Sequence, residues 1–104
     1  MRKDNISFWG DKNMEVAYKV TIRGRVTGVG FRYSALDKAG EFKTIRGYVR
    51  NADYGEVEAW VQGDRKEVDM MLEWLKAGPC MARVDHFSFV EEKRDPSMTS
   101  FDII

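Results

Sequence analysis

With 104 residues, the chain has room for one domain built on one hydrophobic core. Its 17 basic and 17 acidic residues cancel, which disfavours a polyanion-binding surface and a membrane-attracted face. The lone cysteine, Cys80, excludes an intrachain disulfide framework, and no apolar run is long enough to cross a bilayer. Because residues 1–13 lack the apolar core of a signal peptide, we expect a cytoplasmic protein.

The N-terminal residues, 1–14, show no regular hydrophobic period. Their large apolar side chains are Ile6, Phe8 and Trp9, which do not share a helical or strand face. We therefore predict a loosely attached extension over residues 1–14 and a domain over residues 15–104. Met14 immediately precedes the first strand pattern and is an alternative start of translation.

A glycine-rich segment, residues 24–32, lies between a strand pattern and a helix pattern. Upstream, apolar and polar residues alternate, with one face formed by Val16, Tyr18, Val20 and Ile22. Downstream, apolar residues recur at helical spacing, namely Phe31, Ala35, Ala39 and Phe42. The segment is thus predicted to be a strand-to-helix turn, with Arg32 in or just before the first turn of the helix.

The composition of this turn suits an anion. Glycines let a ligand approach the main chain, and successive N–H groups can point into one concavity. The positive end of the following helix and the guanidinium of Arg32 add to the attraction. The segment is neither a Walker loop nor a dinucleotide-binding turn, because the Gly-Lys-Ser/Thr and the third glycine are missing. An oxyanion the size of phosphate is the expected ligand.

The remaining elements form a hairpin, a helix and two more strands. Residues 45–51 and 56–62 alternate on either side of a turn containing Gly55, which predicts a β-hairpin. Asp64 is a helix N-cap with Glu67 as its capping-box partner, and Gly78-Pro79 ends that helix. Strands are expected at about residues 82–90 and at residues 101–104.

This order of elements predicts an α+β fold. An antiparallel sheet packed on two helices in the order β-α-β-β-α-β gives a ferredoxin-like α/β sandwich, with a possible short fifth strand at the C-terminus. Many functions use this fold, so the fold alone assigns none.

Two motifs in the chain match a known family. The first is the loop pattern G-x-V-Q-G-V-x-F-R, matched by Gly24, Val26, Gly28, Val29, Phe31 and Arg32, with Thr27 in place of Gln. The second is G-W/Y-V-R/K-N, which is present as residues 47–51 and ends at Asn51. On these motifs the chain resembles the acylphosphatases from about residue 17 to its end. The resemblance implies the same ferredoxin-like sandwich.

The resemblance also implies hydrolysis of acyl phosphates to a carboxylate and inorganic phosphate. Arg32 and Asn51 are then the catalytic residues, Arg32 holding the phosphoryl group and Asn51 positioning the attacking water. The backbone cradle for phosphate comprises Val26, Thr27, Gly28, Val29, Gly30 and Phe31. A carboxylate leaves without a protonating side chain, so we expect neither a metal nor a cofactor. The expected partners are a small acyl phosphate and inorganic phosphate as product and inhibitor, with no nucleic acid or membrane, and we expect a monomer.

Two other functions compete with this interpretation. Residues 46–49 echo the basic-glycine-aromatic start of an RNA-recognition strand, but residues 50–52 depart from it and the net charge is zero. A module that binds phosphate without turnover is the second alternative, which the presence of both Arg32 and Asn51 disfavours. His86, the only histidine, and Cys80 are interpreted as structural or surface residues.

Overall fold

The computed structural model describes residues 14–104. Apart from Met14, the predicted N-terminal extension lies outside the described residues. In this part of the chain no helix is long and apolar enough to cross a membrane.

The described residues form four strands and two helices in the predicted order, followed by a short fifth strand. The sheet has the strand order β4-β1-β3-β2-β5. The elements are β1 (Glu15–Arg25), α1 (Phe31–Ala39), β2 (Arg46–Asp53), β3 (Glu56–Asp64), α2 (Arg65–Ala77), β4 (Arg83–Glu92) and β5 (Phe101–Ile103).

The predicted ferredoxin-like sandwich is confirmed, and the fifth strand makes its sheet mixed. Strands β1 to β4 pair antiparallel, whereas β5 runs parallel to β2. The chain between β4 and β5 travels from one edge of the sheet to the other, so β5 joins β2 without a hairpin. Flanking backbone hydrogen bonds complete this pairing, from Gly47 N to the Ser100 carbonyl (2.9 Å) and from Ile104 N to the Val49 carbonyl (3.1 Å).

Both helices cover the same face of the sheet, and the core lies between the helices and that face. The alternating residues of the strands point into it, as predicted, and Val20, Ile22, Val49 and Val57 are completely buried. Helix α1 ends at Ala39 rather than at the predicted Phe42, because the chain turns at Gly40. Phe42 nevertheless packs against the core from beyond the helix.

The start of α2 differs from the prediction in one respect. Asp64 caps the helix, since its carboxylate accepts a hydrogen bond from Lys66 N at 3.0 Å. Glu67 does not close the capping box. Its carboxylate instead accepts hydrogen bonds from Thr44 N (2.8 Å), Thr44 Oγ1 (2.5 Å) and Lys43 N (3.3 Å), and Asp64 N donates to Thr44 Oγ1 (3.0 Å). Thr44 Oγ1 thus replaces Glu67 as the acceptor for Asp64 N. Through its bonds to Asp64 and Glu67, Thr44 ties the chain just before β2 to the start of α2.

This arrangement perturbs the Glu67 carboxyl. Burial favours its neutral form, but the hydrogen bonds from Thr44 and Lys43 outweigh burial and hold the pKa of Glu67 below its ordinary value of 4.5. A lowered pKa in the folded state means that the ionised carboxylate stabilises the fold.

We predict that Glu67→Ala lowers the free energy of unfolding by about 1–3 kcal/mol near pH 7, because the partly buried donors of Thr44 lose a charged acceptor. Since the folded-state pKa is lowered, this contribution is present above pH 4.5 and is lost as the pH falls through the folded-state pKa. Urea unfolding of both proteins between pH 3 and 7 measures the difference. Glu73→Ala, at an exposed position of α2, is the control. A gap that stays constant down to pH 3 would contradict the assignment.

Candidate active site

The connection between β1 and α1 begins where three strands approach closely. Gly24 N donates to the Gly55 carbonyl at 3.1 Å, which ties the end of β1 to the turn of the β2–β3 hairpin. A Cβ on Gly24 would lie 2.2 Å from the Arg83 carbonyl oxygen of β4. Only glycine therefore fits at this position, and the loop leaves the sheet at a point held by both neighbouring strands.

Two buried side chains anchor the loop while its middle stays open. Val26 and Phe31 are each 1% exposed, and the Phe31 ring packs against Trp74 of α2 with centroids 5.9 Å apart. Between these anchors, Gly28 and Gly30 have φ of 72° and 73°, and a Cβ at either would meet no atom within 4 Å. The glycines are thus required by the left-handed backbone conformation and not by crowding.

The N-terminus of α1 is open to a ligand. Gly30 is the N-cap residue, and the first helical hydrogen bond runs from Ser34 N to its carbonyl at 2.9 Å. Within residues 14–104 no side chain caps this helix, and its first turn contains no acidic residue. The free N–H groups and the positive end of the helix therefore face the loop without a compensating anion from the described chain.

Arg32 is the second residue of α1, as predicted, and its side chain is half-buried. Among the described residues, its guanidinium forms no hydrogen bond and no ion pair. A cation in the first turn of a helix is unfavourable by a few tenths of a kcal/mol or more, roughly, because it repels the helix dipole. Arg32 and the N-terminus of α1 thus concentrate positive potential at one place.

Asn51 lies at the same end of the sheet. Strands β1 and β2 both run antiparallel to β3 and hence parallel to each other, so their C-terminal ends lie at one edge. Asn51 shares the helix-covered face with Val49 and pairs with Val57, which in turn pairs with Ile22 near the end of β1. Its own side chain is exposed, beyond the part of this face that the helices cover. The fold thus brings the loop, Arg32 and Asn51 to one end and one face.

Strand β2 extends two residues past Asn51, to Asp53, rather than ending at Asn51 as predicted. The pairing between β2 and β3 is regular up to the Asn51–Val57 pair and then shifts before the Asp53–Glu56 pair. A bulge of this kind bends the strand and reorients nearby side chains. Asn51 is therefore the last regularly paired residue of its strand.

Two cavities of the described structure lie at opposite ends of the sheet. One of about 420 Å³ adjoins the loop and is lined by Gly24, Arg25, Thr27, Tyr54, Gly55, Arg83 and Asp85. A larger one, of about 590 Å³, lies at the opposite end between the C-terminus of α1 and the N-terminus of α2. The larger cavity contains none of the predicted site residues, and the smaller one contains Thr27 alone, with neither Arg32 nor Asn51 in its lining.

His86 and Cys80, which are interpreted as structural or surface residues, lie away from the candidate site. His86 is exposed on β4 and pairs with Arg23, on the sheet face opposite Asn51. Cys80 is an exposed free thiol in the loop after α2. Over residues 14–104, no three histidine, cysteine or acidic side chains converge as metal ligands.

Sequence reasoning missed a charged cluster on the open face of the sheet. The Glu58 carboxylate accepts hydrogen bonds from Tyr48 Oη (2.5 Å) and Arg50 Nη2 (2.9 Å), and the Trp60 ring stacks on Tyr48 with centroids 6.4 Å apart. Tyr48, the aromatic residue of the segment that echoes an RNA-binding strand, is thus hydrogen-bonded to Glu58, whereas Arg46 of that segment donates to the Lys43 and Ile45 carbonyls. Regular counting of cross-strand partners outward from the Tyr54-Gly55 turn would pair Arg50 with Ala59, and only the shift between Asn51 and Asp53 places Arg50 opposite Glu58.

This cluster perturbs two pKa values in opposite directions. Burial and the hydrogen bond to Glu58 raise the pKa of Tyr48 to about 12. Burial alone would raise the pKa of Glu58, but the hydrogen bonds from Tyr48 and Arg50 outweigh it and hold that pKa below its ordinary value. Tyr48 is therefore a protonated donor and Glu58 an ionised acceptor at neutral pH.

We predict that the three glycines of the loop differ in how much stability is lost when each is replaced by alanine. Gly28→Ala and Gly30→Ala each cost about 1–2 kcal/mol of stability, from the left-handed backbone alone. Gly24→Ala costs about 3 kcal/mol or more, because its Cβ collides with the backbone of β4. Urea unfolding of the three variants measures this order, and equal losses at all three positions would contradict it.

Comparisons with known proteins agree with this geometry. Residues 18–103 match the family model described as Acylphosphatase. The chain is 42% identical over 91 residues to an acylphosphatase of Burkholderia mallei, which covers 88% of this chain and 91% of the relative.

Solved structures give the same result. An acylphosphatase from Coxiella burnetii superposes with a TM-score of 0.79 at 34% identity, covering 88% of this chain and 95% of that one. Acylphosphatase from Bacillus subtilis superposes with a TM-score of 0.78 at 30% identity, covering 86% and 98%. The chain therefore belongs to the acylphosphatase family.

Proposed function

We propose that the protein is an acylphosphatase that hydrolyses the carboxyl–phosphate bond of a small acyl phosphate to a carboxylate and inorganic phosphate. The observation that carries the proposal is the positive charge of Arg32 beside the open glycine loop, at an N-terminus of α1 that no side chain of residues 14–104 caps or neutralises. Inorganic phosphate is the product and an inhibitor of the same site. The active unit is a domain over residues 15–104, to which residues 1–14 form an extension.

The loop and Arg32 hold the phosphoryl group. Backbone N–H groups over residues 26–31 and the guanidinium of Arg32 donate to its non-bridging oxygens. Negative charge on these oxygens and on the leaving oxygen is redistributed as the P–O bond breaks, and preorganised donors stabilise that charge without reorganising. The buried anchors Val26 and Phe31 keep the donors in place, which supports this role.

Asn51 positions the attacking water. Its carboxamide carries both a donor and an acceptor, so it can orient a water molecule in line with the bond that breaks. Its exposed side chain, on the helix-covered face at the end of the sheet where the loop leaves β1, supports this assignment.

The nature of the leaving group explains why Arg32 and Asn51 suffice for hydrolysis without a general acid. Water oxygen forms a bond to phosphorus, the bond from phosphorus to the acyl oxygen breaks, and the carboxylate departs with the electron pair. The proton of the water passes to the phosphate product. A carboxylate, whose acid has a pKa of about 4, needs no protonating side chain to leave, unlike an alcohol.

We predict that Arg32→Ala lowers kcat about 10²–10³-fold and weakens inhibition by phosphate, because both the transition state and the product lose their cation. Steady-state hydrolysis of acetyl phosphate with a chelator present, together with phosphate inhibition constants, measures both effects. Arg25→Ala, an exposed arginine beside the same loop, is the control for general loss of positive potential. A folded Arg32→Ala protein with full activity would move the site elsewhere.

We predict a different signature for Asn51→Ala, namely a fall in kcat of about 10²-fold with the phosphate inhibition constant within about twofold of the wild type. The water loses its orienting group while the cradle stays intact. Asp53→Ala, an exposed polar residue two positions further along the same strand, is the matched control. A loss confined to phosphate affinity would reassign Asn51 to the cradle.

A further inference from the structure

The cluster around Glu58 lies on the reverse side of the strand that carries Asn51. Arg50 and Glu58 are direct Cα partners, and the next pair along the hairpin is Asn51 with Val57. Because neighbouring residues of a strand point to opposite faces, Arg50 lies on the open face and Asn51 on the helix-covered face. The Arg50–Glu58 contact is therefore one residue pair away from Asn51.

This contact is more than an exposed surface ion pair. The side chain of Glu58 is only 14% exposed, against 41% for Arg50, and both carboxylate oxygens are used. One oxygen accepts from Arg50 and the other from Tyr48, two residues earlier on β2. A single residue of β3 thus holds two positions of β2, and a shielded pair with two hydrogen bonds resists separation better than a solvated pair.

Asn51 needs such a support because the ladder between β2 and β3 becomes irregular just beyond it. The pairing of β2 with β3 shifts between Asn51 and Asp53, so the Asp53–Glu56 pair on the turn side is out of register with the pairs up to Asn51. A one-residue slip in a strand moves every side chain to the other face. Here a slip would turn Asn51 away from the loop, and a much smaller displacement would already disorient the water.

We propose that Glu58 is a positioning residue for Asn51, holding β2 in register through Tyr48 and Arg50 on the face opposite the active site. The inference rests on the proposed function, in which Asn51 orients the attacking water. It assigns Glu58 no contact with substrate, so its removal affects turnover through Asn51 alone and leaves the phosphate cradle unchanged.

The test is a double-mutant cycle between Glu58 and Asn51. We expect Glu58→Ala to lower kcat for acetyl phosphate about tenfold, with the phosphate inhibition constant within about twofold of the wild type. In the Asn51→Ala background the same substitution lowers kcat by less than about twofold, because no positioned group remains to be lost. Glu58→Gln, which keeps an acceptor for Tyr48, restores part of the turnover.

The matched control is Glu56→Ala. Glu56 lies on the same face of β3 and forms an ion pair with Arg23 of β1 at 3.0 Å, so its removal costs a carboxylate and an ion pair without releasing the Tyr48 and Arg50 contacts. We expect it to leave kcat within about twofold of the wild type. In ¹⁵N NMR spectra, the side-chain amide resonances of Asn51 shift in Glu58→Ala and not in Glu56→Ala.

Three results would overturn the inference. Equal fractional losses from Glu58→Ala with and without Asn51 would show that the two residues act independently. A phosphate inhibition constant that changes as much as kcat would assign Glu58 to the cradle or to general stability. Full activity of Glu58→Ala would remove the role altogether. If Glu58→Ala does not fold, Tyr48→Phe takes its place in the double-mutant cycle, because it removes one of the two contacts to Glu58. We expect Tyr48→Phe to lower kcat by less than Glu58→Ala.

The single variants separate this inference from the function on which it rests. If wild-type protein fails to hydrolyse acetyl phosphate, the proposed function is wrong. If the wild type is active and Asn51→Ala is too, the water-positioning role fails and the Glu58 inference fails with it. If Asn51→Ala is impaired and the cycle is additive, only the Glu58 inference fails.

Discussion

A positive potential at the start of α1, which no side chain of the described residues neutralises, is the constraint around which the candidate site is arranged. The helix begins with a left-handed glycine, lacks an acidic first turn, and carries Arg32 where a cation opposes the helix dipole. The surrounding structure tolerates this because Val26 and Phe31 are buried on either side of the loop and Phe31 packs against α2. In the proposed function, the charge of the phosphoryl group offsets the repulsion between Arg32 and the helix dipole.

The order of strands converts this local feature into a site. Because β3 lies between β1 and β2 and pairs antiparallel with both, the strands that supply the loop and Asn51 are parallel and end at one edge. The connecting helix α1 crosses over β3 and packs against β2 and β5, which returns the chain to the strand that bears Asn51. Strand β3 contributes no residue to the proposed chemistry, yet its register determines how its two neighbours are aligned.

The two faces of the sheet differ in the side chains that they hold. The helix-covered face holds the core and, at its uncovered end, the candidate site. The open face holds polar side chains that satisfy one another, among them Glu58 with its two donors and Gln62. The Gln62 amide bonds both the N–H and the carbonyl of Asp95, at 2.9 and 2.8 Å, and accepts from Trp60 Nε1 at 2.9 Å. These contacts hold the connection to β5 against β3, and buried polar groups satisfied in this way add specificity to the packing.

The sequence by itself determined the elements and the candidate residues, and only the tertiary structure decided how they combine. Alternation, helical spacing, the glycines and the Asp64 cap are local signals, so the strands, the two helices and Arg32 at a helix start were predictable. The acceptor role of Glu67 toward Thr44, the parallel pairing of β5, and the convergence of Tyr48 and Arg50 on Glu58 were not. Each joins residues distant in the chain, and such contacts depend on strand register and packing, which no local pattern encodes.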